Sequence, residues 1–380
     1  MSAPDLSAWA YLSRVAESPC ASLMALVESA GPVEAAERIR RAEVSPELAR
    51  LTEARRELDC AAQDLEHLDR RGGRLITPDD DEWPWLSFAA FGAAPVRDKP
   101  QGRPPLALWA IGPHRIDEIA ERSAAIVGTR ASSAYGEHVA AELAAGLVER
   151  DVAVISGGAY GIDGAAHRAT LAAEGITVAV LAGGVDVLYP AGHSALLHRV
   201  TQEGLLISEY PPGVRPARHR FLTRNRLVAA LSSATVVVEA GLRSGAASTA
   251  AWARALGRMV CAVPGPVTSM ASAGCHQLIR SGAELVTRSD EIVELVGRAG
   301  EFADEQPRRS DPLDGLSETE LKVFEALPGR GARTPDQIAV SAGLPIAGVL
   351  GPLAMLEIAG LIERQEGRWR LARSRRHARD

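Results

Sequence analysis

The chain has 380 residues, of which 46% are hydrophobic and 24% charged, and it carries a formal net charge of −6. This is the composition of a folded globular protein of two to three domains, at roughly 150 residues per domain, and it excludes a disordered or collagen-like chain. The acidic total argues against a nucleic-acid surface spread over the whole molecule, and no apolar run reaches the ~18–20 residues of a membrane helix.

Residues 1–70 read as a helical module. Leu6, Trp9, Ala10, Leu12 and residues 13–16 follow one helical period, and Leu23, Leu26, Val27 and Ala30 follow a second that ends at Gly31-Pro32. Pro46-Glu47 opens a third, with Leu48, Leu51, Ala54, Leu58 and Ala61 on one face. Residues 71–118 are richer in Pro and Gly and hold Trp83, Trp85, Phe88, Phe91 and Trp109; they read as a connecting segment packed on the next domain. Within 119–296, apolar runs at 124–128, 152–155, 177–181, 205–207, 235–238 and 259–263, with a short one at 284–286, alternate with helical stretches. Those stretches are 136–150, 164–174, 194–203, 225–231 and 249–256. This alternation predicts an α/β domain whose parallel sheet has helices on both faces. The strands are apolar throughout, as strands buried on both sides must be.

Residues 297–313 are polar with two prolines and read as a linker. In 314–372, Ser317 and Thr334 cap two helices, 346–359 forms a third, and Gln365-Glu366-Gly367 turns a short hairpin, which is winged-helix order. The tail 373–380 is expected to be disordered. Cys20, Cys60, Cys261 and Cys275 form no CxxC pair, so neither a zinc site nor a disulfide framework is expected. With no basic-then-apolar leader pattern, a reduced cytoplasmic protein is the expectation.

In a parallel sheet, ligands sit beyond the carboxyl ends of the strands. There the sequence places Gly128-Thr129-Arg130, Ser156-Gly157-Gly158, Ala182-Gly183-Gly184, Ser244-Gly245 and Pro264-Gly265-Pro266. Glycines in register let backbone amides approach an anion, and helix N-termini add partial positive charge. Neither GxGxxG nor GxxxxGK[ST] follows a strand, so no NAD site and no P-loop are expected. Only Lys99 and Lys322 are lysines, so 40 of the 42 basic residues are arginine and their clustering matters more than their number. Five of them, Arg215, Arg218, Arg220, Arg224 and Arg226, fall within twelve residues that also hold Phe221. Arginines neutralise phosphates and an aromatic ring stacks an unstacked base, which suits a single strand better than a duplex. Asp163 and His167 share a helix face, but without a third ligand they read as a helix cap and a hydrogen bond to the neighbouring turn. Glu209 and Glu239 read as ion-pair partners of arginines.

Seven motifs in order over 125–283, from AIVGTRASSAYG through VISGGAYGIDGAAHRATL and FLTRNRLVAALS to VPGPVTSMASAGCHQLIRSGA, resemble the DNA-processing protein A (DprA/Smf) family. The resemblance implies an extended Rossmann-like fold flanked by an N-terminal helical module and a C-terminal winged helix. It implies a non-enzymatic mediator of natural transformation and DNA recombination that binds and protects single-stranded DNA and loads the recombinase RecA. It also implies a homodimer made through the central domain, and no cofactor. Arg130, Arg218 and Phe221 would line the DNA pocket, supported by Arg224 and Arg226. Gly128, Thr129, Ser156, Gly157, Gly158, Asn225, Ser244, Gly245 and Thr249 complete the expected DNA-binding set. Leu222 stands where the family usually has proline, and Glu17-Ser18-Pro19 stands in place of a frequent GIG hairpin.

A rival reading is a nucleotide-processing enzyme similar to the phosphoribohydrolases with a PGGxGTxxE element. Here Trp252 holds the glutamate's place, leaving no carboxylate to stabilise an oxocarbenium-like transition state. A duplex-reading regulator is the third reading. The presumed recognition helix has no Arg or Lys, and 311–372 hold nine acids against six bases, so protein contacts suit this module better than major-groove reading.

Overall fold

The computed structural model describes residues 3–99, 101–297, 313 and 315–372. The expected linker, apart from its end residues 297 and 313, and the tail 373–380 lie outside the described residues. The strands of the main sheet are β1 Gly73–Ile76, β2 Leu108–Ile111, β3 Ser123–Val127, β4 Ala153–Ser156, β5 Thr177–Val180, β6 Leu205–Ser208, β7 Ala234–Val237, β8 Met259–Ala262 and β9 Glu284–Leu285. They lie in the order β1-β2-β6-β5-β4-β3-β7-β8-β9. From β6 to β9 every pairing is parallel, whereas β2 runs antiparallel to both β6 and β1.

Alternate side chains of each strand enter opposite cores. Ala125 and Val127 of β3 pack with helices Arg218–Ala230 and Gly245–Ala255, while Ala124 and Ile126 pack with helices Ala134–Val148, Ile162–Ala172 and Ser289–Val296. This two-sided burial explains why the strands carry no polar alternation.

Two expectations are corrected here. The segment 71–118 is not a mere connector, because it supplies β1 and β2 to the sheet. Both strands lie on a Pro- and Gly-rich background outside the strand–helix alternation that marks β3 to β8. The helices of 1–70 do not form a core of their own either. Trp9, Leu12, Leu23, Ile39 and Leu68 share one apolar cluster with Leu75, Trp109, Ala179 and Leu206 of the sheet. Within this region, Pro32 starts an unexpected helix, Pro32–Arg40, and the expected long third helix is two short ones, Pro46–Thr52 and Ala61–Asp69. Leu51 and Leu58, assigned to its buried face, are exposed.

Residues up to 297 form one compact unit and the residues from 313 onward a second. In the second unit, helices Glu318–Glu325, Pro335–Ala342 and Ile346–Ile358 precede the hairpin Ile362–Gln365 and Arg368–Leu371. Ser317 with Glu320 and Thr334 with Gln337 form reciprocal capping boxes that open the first two helices. Val323, Ile338, Val349, Leu353, Leu356 and Trp369 close its core. Among the described residues no single helix is long and apolar enough to cross a membrane.

Candidate nucleic-acid interface

β3 is the topological switch point: the chain runs outward from it through β4, β5 and β6, then returns to its other side as β7. A crevice is expected beyond such a point. A cavity of about 730 Å³ occupies it, lined by the residues after β3, β4 and β7, by helix Arg218–Ala230 as far as Val228, and by the start of helix Gly245–Ala255. Of the expected residues, Gly128, Thr129, Arg130, Gly157, Arg218, Phe221, Arg224, Asn225, Ser244, Gly245 and Thr249 all line it. Tyr189, Leu222 and Arg243 line it as well, although they were not among the expected contacts.

These residues divide into free and committed groups. Arg130, Arg218 and Arg243 are exposed. Arg130 holds its guanidinium 4.9 Å from the centre of the Phe221 ring, a cation–π distance. Arg224 is buried and turns inward, donating to Gly157 O at 2.7 Å and to Val180 O. A Cβ at Gly157 would collide with that guanidinium, so this glycine is required for the brace. Asp163 faces Arg224 and accepts from the amides of Gly157 at 3.2 Å and Ala159 at 3.4 Å. Burial dominates both charges. It pushes the Asp163 carboxyl upward despite Arg224 and the amides of Ala159, Gly157 and Gly128. It pulls Arg224 down to about 10 despite Asp163. Asp163 thus secures the glycine turn rather than capping its own helix from outside. His167 hydrogen-bonds Thr177 Oγ1 at 2.7 Å, and burial lowers it to about 3, so it is neutral.

Asn225 Nδ2 donates to Gly245 O at 3.2 Å, tying the middle of its helix to the start of helix Gly245–Ala255, and Thr249 Oγ1 donates to the same oxygen at 3.4 Å within its own helix. Ser244 caps its helix by accepting from Ala247 N at 3.2 Å. Gly245 and Ala246 of its first turn line the cavity.

Three expected site residues are not in the cavity. Ser156 Oγ donates to Ile126 O at 2.6 Å inside the sheet. Gly158, at φ +70°, forms the turn behind the cavity beside Leu197. Arg226 is corrected outright as a contact residue. It is 0% exposed, forks onto Glu209 at 2.7 and 2.8 Å, and also donates to Arg103 O and Thr223 O. Fully enclosed, with four of its five N–H donors engaged, this guanidinium is out of a ligand's reach. Glu209 is thus paired as expected, whereas Glu239 bonds the Ser133 amide at 2.9 Å and hydroxyl at 2.6 Å instead of an arginine.

The Glu17-Ser18 turn meets the other side of the basic helix. Glu17 takes Arg220 at 2.6 and 3.0 Å, Arg55 at 3.0 Å and His219 at 3.3 Å. Ser18 Oγ donates to Glu209 at 2.6 Å. Burial pushes the Glu17 carboxyl up, but these cationic donors outweigh it and hold it at about 2. Among the described residues no three His, Cys, Asp or Glu side chains converge as a metal site.

Residues 74–297 match the family described as DNA recombination-mediator protein A, and residues 307–368 match the DprA winged helix domain. A Mycobacterium tuberculosis protein named DNA processing protein DprA is 72% identical over 371 residues, spanning 98% of this chain and 95% of its own. Protein Smf of Escherichia coli is 39% identical across 63% of this chain and 64% of its own length. The X-ray structure of Streptococcus pneumoniae DprA superposes with a TM-score of 0.63 at 28% identity, covering 77% of this chain and 98% of that one.

Proposed function

Since the chain belongs to the DNA recombination-mediator protein A family, with a role in DNA processing and recombination, we propose that it binds single-stranded DNA in the switch-point cavity. In this reading it acts as a cytoplasmic homodimer joined through the central domain, protects the strand and passes it to the recombinase RecA. The observation that carries the DNA step is the pairing of Arg130 with Phe221 at 4.9 Å on a rim that also presents Arg218 and Arg243. Charges that hold phosphates alternate there with a ring that holds a base, which is the composition of a single-strand site. A duplex keeps its bases stacked and offers nothing to the ring.

The reading is of a binder rather than a bond-breaking enzyme. The carboxylate in the cavity wall, Asp163, is spent on backbone amides. Trp252, at the position where the phosphoribohydrolases carry glutamate, is packed in the sheet core.

A salt-titrated binding assay on single-stranded and duplex oligonucleotides tests this. Log affinity for the single strand should fall with log salt at about −0.7 per phosphate neutralised. Equal affinity for duplex, or no salt slope, removes the proposal. The RecA step is read from RecA nucleation on protein-coated single strands, which should be faster with this protein present. Sedimentation gives the oligomeric state. Release of base from nucleoside monophosphates would return the enzyme reading.

A further inference from the structure

The mouth of the cavity holds more aromatic surface than Phe221. Tyr189 follows β5 and is 46% exposed, and Tyr160 follows β4 and is 45% exposed. Tyr189 lies 5.7 Å from Phe221 with the two rings tilted by 53°. Tyr160, Tyr189, Phe221 and Arg130 line one niche at the side of the main cavity. Half-exposed rings gathered at one rim are costly surface unless something covers them.

The placement of Arg130 decides which ring is open. Its guanidinium already sits over Phe221, so one face of that ring is occupied. Among the described residues no cation sits above Tyr189, which is the more exposed of the two. At 53° the two rings cannot sandwich one base between parallel faces, so each can serve a separate base. Tyr160 is fixed at both ends: its hydroxyl accepts from Gly192 N at 3.1 Å, and its ring meets His193 edge-on at 4.8 Å. It forms a rigid wall to the niche.

Building on the single-strand reading above, we infer that Tyr189 is a second base-stacking platform, which takes the nucleobase adjacent to the one at Phe221. The ligand class is an unpaired nucleobase within a strand whose flanking phosphates lie at Arg130 and Arg218. A phenol ring stacks any base, so the subsite adds affinity without sequence preference.

The test uses the full chain and oligothymidylates carrying single 5-iodouracil substitutions, photo-crosslinked and mapped by mass spectrometry. Crosslinks at both Tyr189 and Phe221 are expected. In parallel, Tyr189→Ala should weaken binding about 5- to 150-fold, and Tyr189→Phe, which keeps the ring, should retain wild-type affinity. Crosslinks at Phe221 alone, or wild-type affinity in Tyr189→Ala, overturn the inference while leaving the single-strand reading standing. Failure of the wild-type chain to bind single strands overturns both. If Tyr189→Ala does not fold, the crosslink map of the wild-type chain decides alone.

Discussion

Arg226 offers a sharp separation between fold and function, because it lies only eight residues along the helix from Arg218. Arg226 donates to both Glu209 oxygens and to the carbonyls of Arg103 and Thr223, wholly out of solvent. Arg226→Met removes the guanidinium but keeps most of the apolar stem. It leaves Glu209, itself 1% exposed, with the Ser18 hydroxyl as a single side-chain donor among the described residues. Stranding one member of a buried pair costs about 3–5 kcal/mol. At roughly 2 °C per kcal/mol, the low end of the range for domains of 150–250 residues, the melting temperature should fall by about 6–10 °C. DNA affinity per folded molecule should be unchanged. The assay pairs a thermal melt by circular dichroism with fluorescence anisotropy on a labelled single strand, both below the variant's melting point. An unchanged melt with lost DNA binding refutes the structural assignment and returns Arg226 to the interface.

The remaining expectations follow from the same division of roles. Arg130→Ala and Arg218→Ala should each reduce single-strand affinity by about 10- to 150-fold, from about 1.5–3 kcal/mol per charge-assisted contact, with unaltered melts; normal binding by both would misplace the cavity. Phe221→Ala should lose about 5- to 150-fold in affinity and little stability, whereas a large drop in melting temperature at normal affinity would make it a core residue. Glu17 titrates at about 2 when folded against an ordinary 4.5. A depressed carboxyl contributes stability above the unfolded value that fades as pH falls from 4.5 towards 2. Glu17→Gln should therefore flatten the melting-temperature profile across that window, and parallel profiles for mutant and wild type would deny the clamp. A chain ended after residue 297 should keep most single-strand affinity, because the described arginines of the cavity all precede that point; a loss beyond tenfold would place binding surface in the winged helix.

The legible part of the fold is the part dictated by two-sided burial. Each run from β3 to β8 appears within a residue or two of its expected place, because a strand buried on both faces is apolar along its length. The exposed two-residue edge strand β9 lies at its expected place without that signature. The winged helix was legible through its caps, Ser317 and Thr334, each with its Glu or Gln three residues on. What escaped lay outside the strand–helix alternation. β1 includes Gly73 and Arg74, and β2, although apolar and buried from Leu108 to Ile111, sits in a Pro- and Gly-rich segment without a helix-strand repeat around it. The Pro32–Arg40 helix begins directly after the preceding helix ends at Ala30, so Gly31-Pro32 punctuates two elements and reads as the end of one.

In the candidate site the illegible feature was the start of one helix, which bears on which arginines face the cavity. The expected helix starts at 225, yet the helix begins at Arg218. Its N-cap is Ala217, with no side-chain cap, and its first turn holds Arg218, His219 and Arg220 where acidic residues are favoured. At about 100° per residue, Phe221, Leu222 and Asn225 fall within about 60° of Arg218, while Arg220 lies about 160° away and Arg226 about 80°. The structure follows that wheel for these residues: the first group lines the cavity, Arg220 meets Glu17, and Arg226 meets Glu209. Arg224, about 120° away, departs from it, reaching the cavity wall through its contacts with Gly157 O and Val180 O. The unfavourable first turn is itself informative. Glu17 supplies one countercharge, to Arg220 and His219, but Arg218 faces the cavity beside Arg130 and Arg243 with no acidic ion-pair partner among the described residues. Breaks of a local rule are expected at functional sites. Under the proposed function the missing anion is the DNA phosphate, and local sequence rules fail at this helix start because the chain holds only half of the interaction.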